Sequence, residues 1–508
     1  MSGTSIVILC TIIAYMCVLI GVGFYNGKKN NDSEDFYLGG RKMGPLVVAM
    51  SAEASDMSSW LLMGLPGVAY LTGVADAFWT AAGLAIGTYL NWLIVSRRLR
   101  RYSQHLGAIT VPSFLAKRFH DKKNIITAIA ALMIVVFFVP YVASGFAACG
   151  KLFNSLFGME YMTGVIVFAV IIIVYTIIGG FTSVATNDLI QSIVMSIALI
   201  SITVFGVSKA GGFGAVIDNA KSLEGYFSLT ATHDAANNTA VAYPFLSIIS
   251  TMAWGIGYFG MPHILVRFMS IEDEKKLVLS RRIASIWVTI AMGVAIFIGI
   301  IGLGMTNAGS LEALADPERV IIAISTLLSE NGALAAILAG VILAGILAAT
   351  MSTADSQLLV AASGVSENIV QDFFGKKLTA KQSLLVARGT ILVISIIGVF
   401  LARDPNSSVF GIVSFAWAGF GGAFAAVMIC ALFWKRTTLS AAIAGIVSGG
   451  IVVFVWEYVL SPMGGVWGIY ELLPAFLVSL AVIVVVSLCT KAPSKEIVEE
   501  FEQGVKVK

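Results

Sequence analysis

The chain has 508 residues, of which 58% are hydrophobic and 12% charged, with a mean hydropathy of +0.91 and a formal net charge of +3. Soluble domains carry about 25% charged residues, so this chain lacks the polar surface that water demands, and the bilayer is its main solvent. The small net charge by itself says nothing about nucleic acid, and five cysteines in apolar spans and four scattered histidines give no metal-ligand spacing.

An apolar run of about 20 residues crosses ~30 Å of hydrocarbon as a helix. Reading such runs between polar breaks predicts thirteen spans, numbered here in chain order: 5–26, 44–73, 75–96, 124–150, 159–179, 189–207, 243–268, 283–306, 331–362, 383–402, 407–433, 437–460 and 466–489. Span 1 has no basic segment before it, is long enough to cross, and is followed by Lys28 and Lys29. It reads as a retained helix with an outside N-terminus, not as a signal peptide. The outward loops then hold five basic residues, Lys151, Lys209, Lys221, Arg319 and Arg403. The other 27 of the 32 lie inside, including Arg97, Arg98, Arg100 and Arg101 and the pairs Lys275/Lys276 and Lys376/Lys377.

Span 2 concentrates polar and small residues at its middle, Met50-Ser-Ala-Glu-Ala-Ser-Asp-Met-Ser-Ser-Trp60, ahead of Gly64, Pro66 and Gly67. Asp56 lies near mid-membrane, where a carboxylate costs roughly 2.5–3.5 kcal/mol on insertion scales and marks a functional site. Span 4 ends in Gly145-Phe-Ala-Ala-Cys-Gly150-Lys151, which opens like a phosphate-binding loop. Leu152 follows where Ser or Thr is required, and the run ends an apolar helix instead of following a strand, so ATP is excluded as the energy source. A gradient must drive the protein, or it is a passive conduit. The loop over about 208–242 contains Asn237-Asn238-Thr239-Ala240 and is too short for an enzyme domain.

Span 7 packs Gly255, Gly257, Gly260 and Pro262 into eight residues. Two Gly/Pro-interrupted spans five helices apart are what two five-helix repeats of opposite orientation produce, with a binding site at mid-membrane. Unwound backbone is tolerated there only if it lines a cavity or binds something. Close helix packing is the other reading of these glycines. In span 9, Ala349, Ser352 and Thr353 share a face at i, i+3 and i+4. One carbonyl and two hydroxyls suit a hard cation such as sodium, although Ser and Thr also cap their own helix carbonyls. The tail from Lys491 to Lys508 is a short helix or loose end.

The stretches Ala54-Ser-Asp-Met-Ser58, Trp60-Leu-Leu-Met-Gly-Leu-Pro-Gly67, Trp254-Gly-Ile-Gly-Tyr-Phe-Gly-Met-Pro-His263 and Met351-Ser-Thr353 resemble the sodium:solute symporter family, and within it the bacterial sodium/proline symporters. Phe36-Tyr-Leu-Gly-Gly-Arg41 and Ser414-Phe-Ala-Trp-Ala-Gly-Phe-Gly421 match as well, and the resemblance runs from about residue 30 to Pro493. It implies an all-α membrane protein with a leucine-transporter-type core of ten helices, spans 2–11, in a single transmembrane domain of residues 1–493. Residues 494–508 form a cytoplasmic tail. It also implies a bacterial plasma-membrane symporter, not an enzyme, that carries proline with sodium by alternating access. It needs no cofactor beyond the coupling ion and no obligate protein partner.

By position, the resemblance assigns sodium to the carbonyls of Ala54, Met57 and Ala349 and the hydroxyls of Ser352 and Thr353, with Asp56 shaping the site. It assigns the solute to Ser58, Trp60, Tyr141, Trp254, Tyr258 and Pro262. Glu53 and Ser59 stand where glycine is expected and Met261 where glutamine is expected, and Glu53 puts a second carboxylate near the ion path. A second cation site would draw on Asp188, Asp355 and Ser356, though an arginine beside Asp355 would explain that residue equally well. Symport of pantothenate, sialic acid, a sugar or another amino acid is the neighbouring reading. A channel or a membrane solute sensor is the reading from a different class.

Overall fold

A computed structural model describes residues 3–27 and 33–505. Ten helices are long and apolar enough to cross a membrane, among them Gly3–Asn26, Ile125–Phe157, Val409–Phe433 and Leu472–Cys489. The shorter apolar helix Tyr161–Ile177 and the two broken helices over residues 45–72 and 245–270 complete the expected set of thirteen. Lys28 and Lys29, used above to orient span 1, lie outside the described residues.

Burial sorts the spans. Spans 9 and 11 have 72% and 89% of their central windows buried, against 22% for span 1 and 28% for span 10. The most buried pair owes its place to small residues: Ala and Gly fill the middles of both spans and admit close neighbours. Span 1 is clothed in exposed Ile and Val and meets lipid.

Several helices outrun the limits that hydropathy sets. Span 3 continues to His105, so Arg97–Arg101 form its last turns and not a loop. Arg100 is buried, donating to the Ile271 carbonyl at 2.8 Å, and Arg101 pairs with Glu274. Span 9 continues as a π-helical segment, Gly364–Phe373. Its polar residues face protein: Ser366 meets the Tyr37 hydroxyl at 2.7 Å, and Asn368 the Thr110 hydroxyl at 3.1 Å.

The loop after span 6 holds a helix, Phe213–Ser222, and a hairpin pairing Ala231–Asp234 with Thr239–Ala242. The tail is a docked helix, Lys495–Val505, whose Phe501 packs near the Tyr102 ring while Glu500 reaches His120 at 3.2 Å.

Candidate functional site

Span 2 is helical from Pro45 to Ser59, turns through a π-helical segment at Trp60–Gly64, and resumes at Leu65–Thr72. The break is at Ser58, with φ 46° and ψ −170°. No glycine relieves this backbone, which costs a side-chain-bearing residue about 1–3 kcal/mol. Its own hydroxyl compensates by accepting the Trp60 N–H at 3.1 Å, and so caps the second half-helix. Span 7 breaks at Gly260–Met261: a 3₁₀ segment, Ala253–Phe259, ends there, Met261 is extended, and a new helix starts at Pro262.

The glycines do more than permit the breaks. A Cβ at Gly87 of span 3 would fall on the Gly255 backbone, and one at Gly257 on the Trp417 ring. Close packing and interruption are both present in span 7 and coincide at Gly260, where a Cβ would fall on the Phe420 backbone.

Four of the five expected cation oxygens are linked by hydrogen bonds. The Ser352 hydroxyl donates to the Ala54 carbonyl at 2.7 Å and lies 3.1 Å from the Ala349 carbonyl, which the Thr353 hydroxyl also reaches at 3.1 Å. The broken span 2 and span 9 therefore meet through carbonyl and hydroxyl oxygens, all buried. The fifth, the Met57 carbonyl, lies at the break and accepts the Trp60 N–H. Carbonyl and hydroxyl oxygens of this kind suit sodium.

Asp56 is buried and turns toward span 7, where its carboxylate accepts from the Tyr258 hydroxyl. Its carbonyl accepts from Tyr141 at 3.2 Å. The aspartate thus ties span 2 to spans 4 and 7.

Beside it lies a cavity of ≈ 220 Å³ lined by Asp56, Met57, Trp60, Leu84, Tyr141, Trp254, Val413 and Trp417. Three of the six expected solute residues, Trp60, Tyr141 and Trp254, are on its wall. Ser58 and Tyr258 adjoin it through Trp60 and Asp56. Pro262 is buried at the start of the second half of span 7 and is not on the wall.

Sequence reasoning missed Trp417, Leu84 and Val413. Trp417 donates from Nε1 to the Trp254 carbonyl at 2.7 Å, and its ring centroid is 5.1 Å from that of Tyr258. The signal available was its setting, an indole among small residues in Ser414–Gly421. Over the cavity, Trp60, Trp254 and Phe410 pack with centroids 5.5–5.8 Å apart, and Tyr470 stacks on Trp254 at 5.1 Å. Phe410 is held from behind: Glu318 accepts from the Phe410 N–H at 3.0 Å, from Val409 N–H at 3.1 Å and from the Ser408 hydroxyl at 2.9 Å. Lys151, buried at the end of span 4, reaches Glu318 at 2.7 Å and Asp316 at 2.9 Å.

The three departures are all buried. Glu53 points at span 3, accepting from Trp92 Nε1 at 3.1 Å, while its other oxygen has no hydrogen-bond partner among the described residues. The Ser59 hydroxyl is likewise without one, and Met261 sits in the break of span 7.

At the candidate second cation site an arginine occupies the oxygens. The Arg267 guanidinium, buried, donates to Asp188 at 2.9 Å, to the Ser356 hydroxyl at 2.6 Å and to the Ser51 hydroxyl at 2.7 Å. Ser51 in turn donates to Asp188 at 2.6 Å. Asp355 keeps a weak contact from Ser356 at 3.4 Å, and one of its oxygens has no hydrogen-bond partner among the described residues. No cluster of three or more His, Cys, Asp or Glu side chains able to hold a metal occurs among the described residues.

Comparison with known proteins adds three findings. Residues 36–449 match the model of the sodium:solute symporter family. Sodium/proline symporters from Staphylococcus aureus strains JH9 and JH1 are each 39% identical over 490 residues, covering 95% of this chain and 92% of theirs. The substrate-bound, outward-open structure of a Na+-coupled sialic acid symporter superposes with a TM-score of 0.79 at 18% identity, over 96% of this chain and 99% of that one. MhsT in complex with L-phenylalanine superposes at 0.54 and 14% identity, over 87% of this chain and 98% of that one. The fold is the leucine-transporter type, with its two broken helices at spans 2 and 7.

Proposed function

The chain belongs to the sodium:solute symporter family and couples solute movement to sodium; we propose that the solute is proline, bound in the cavity between the two broken helices. The hydrogen bond from Ser352 to the Ala54 carbonyl carries this reading, because it joins the moving parts at the oxygens suited to sodium. Sodium at Ala54, Met57, Ala349, Ser352 and Thr353 orders the first half of span 2. That order fixes Asp56, Asp56 fixes Tyr258, and both broken helices then present the cavity to solute. Each ligand thereby stabilises the conformation the other needs, which is the thermodynamic content of coupling.

Proline suits the cavity on two counts. Its ring cation finds the faces of Trp60, Trp254 and Tyr141, and its carboxylate finds backbone N–H groups at the half-helix starting at Trp60. The relatives at 39% identity are named as proline carriers, which supports the same choice. The sialic acid symporter keeps a sugar acid as the second reading. Against it, the cavity has no Lys or Arg on its wall. The protein works in a bacterial plasma membrane with its N-terminus outside and its C-terminus cytoplasmic. It alternates between faces by rocking the broken helices against the rest of the core.

The test is labelled proline uptake into proteoliposomes under an inward sodium gradient, with a potassium control. Saturable, sodium-dependent uptake that Asp56→Ala abolishes supports both solute and mechanism. If uptake is absent while sodium still raises thermal stability, proline is wrong and the symport stands.

A further inference from the structure

Away from the solute cavity, on the lipid-facing side, spans 6 and 8 pack together but leave a groove along one edge of their contact. The groove, of ≈ 810 Å³, has Leu199 and Ile200 on one wall, Ile283, Ile286, Ile290 and Val294 on the other, and Met50 of span 2 at its floor. From Ile283 to Val294 the helix rises about 16 Å, close to half of the ~30 Å hydrocarbon thickness. The groove is therefore about one leaflet deep. Ile200, Ile286 and Ile290 are 60–63% exposed along it. Its polar lining groups, Trp287 Nε1 and the Ser196 hydroxyl, are bonded to each other at 3.0 Å. Nothing in the slot asks for anything but hydrocarbon.

Its end on the side of Arg97–Arg101 is different. Arg282, Ile286 and Ile290 follow at i, i+4 and i+8, so Arg282 stands one turn before Ile286 at the end of the slot, beside its last wall residue Ile283. It is exposed and makes no hydrogen bond or ion pair with any described residue. Arg281 turns elsewhere, over the Tyr89 ring at 5.4 Å. No carboxylate lines the groove.

An apolar slot of one leaflet's depth that ends at an uncommitted guanidinium is complementary to a phospholipid with an anionic headgroup. We propose that the groove between spans 6 and 8 is a binding site for one anionic phospholipid from the leaflet on the side of Arg97–Arg101. The acyl chain lies against Met50, and the headgroup lies on Arg282. Met50 is one turn before Ala54, so the lipid braces the half-helix that carries the cation-site carbonyls.

Native mass spectrometry of the purified full chain, titrated with equal amounts of phosphatidylglycerol and phosphatidylcholine of the same chain length, tests this without any transport assay. The wild-type protein is expected to retain one phosphatidylglycerol in roughly fivefold preference, the worth of one basic residue at an anionic headgroup. Arg282→Gln should erase the preference while some lipid is still retained. Ile290→Trp, which fills an exposed part of the slot, should reduce retention of both lipids. Equal retention by the wild type overturns the proposal, as does a preference unchanged in both variants. A lipid-free dimer would also overturn it, because a second copy would then cover the groove.

Discussion

One hydroxyl, that of Ser352, touches the carbonyls of both Ala54 and Ala349. Ser352→Ala should raise the sodium concentration for half-maximal proline uptake about tenfold or more, the worth of a contact to a charged group. Uptake at saturating sodium should be far less affected, and Ser352→Thr should keep most of the affinity; equal loss in both variants would mean the hydroxyl is not an ion ligand. Trp417→Phe keeps the ring and removes the donor to the Trp254 carbonyl. Its proline KM should rise about three- to tenfold with sodium affinity unchanged, measured in the same vesicles. The shared face of Ala349, Ser352 and Thr353 was legible because i, i+3, i+4 spacing on a helix fixes it before any neighbour is known, whereas Ala54 and Met57 entered only through the family resemblance. Trp417 was not, because an indole in an apolar span looks the same whether it meets lipid, core or solute. Arg267 escaped notice for a related reason: its partners Asp188 and Ser356 are 79 and 89 residues away in sequence, and only the fold brings them to it.

Among the elements, the loop before span 9 behaves as a tie across the cavity's roof. Glu318 accepts three bonds from the start of span 11 and holds buried Lys151 of span 4. Glu318→Ala leaves that ammonium without its closest carboxylate and should cost about 3 kcal/mol or more of stability. Lys151→Met should cost less, since Glu318 keeps its bonds to Ser408, Val409 and Phe410. Thermal unfolding in detergent checks the order of the two variants, and a Lys151 variant weaker than the Glu318 variant would contradict it. That spans 2 and 7 are broken was readable from clustered glycine, proline and polar residues. Where span 2 breaks was not, since Ser58 holds a left-handed backbone conformation with Gly64 and Gly67 already past it. Helix ends were misjudged at spans 3 and 9 because hydropathy registers contact with lipid. Arg100 and Asn368 instead extend their helices by bonding to other parts of the protein.

For the whole molecule, thirteen spans followed from hydrocarbon thickness alone, and the asymmetry of basic residues predicts their direction. A cysteine introduced at Asn238, in the turn of the hairpin, should react with a membrane-impermeant maleimide in intact cells. One at Lys377, between spans 9 and 10, should react only after permeabilisation, and the reverse pattern would invert the orientation. Spans 3 and 7 meet backbone to backbone, with Gly87 against Gly255, so a side chain at either glycine should disrupt their packing.

Arg267 sets a limit on what the protein can accumulate. A guanidinium on Asp188 and Ser356 stands where a second ion would bring its charge, and the coupling ratio expected from it is one sodium per cycle. For a zwitterionic solute each cycle then moves one charge, worth about 2.3 kcal/mol at 100 mV. A tenfold sodium gradient adds about 1.4 kcal/mol. Together they sustain an inside-to-outside solute ratio of about 400, whereas a second sodium would square it. Static-head measurements in vesicles clamped at known potential separate ceilings that differ so widely, and the arginine assigns this transporter to the lower one.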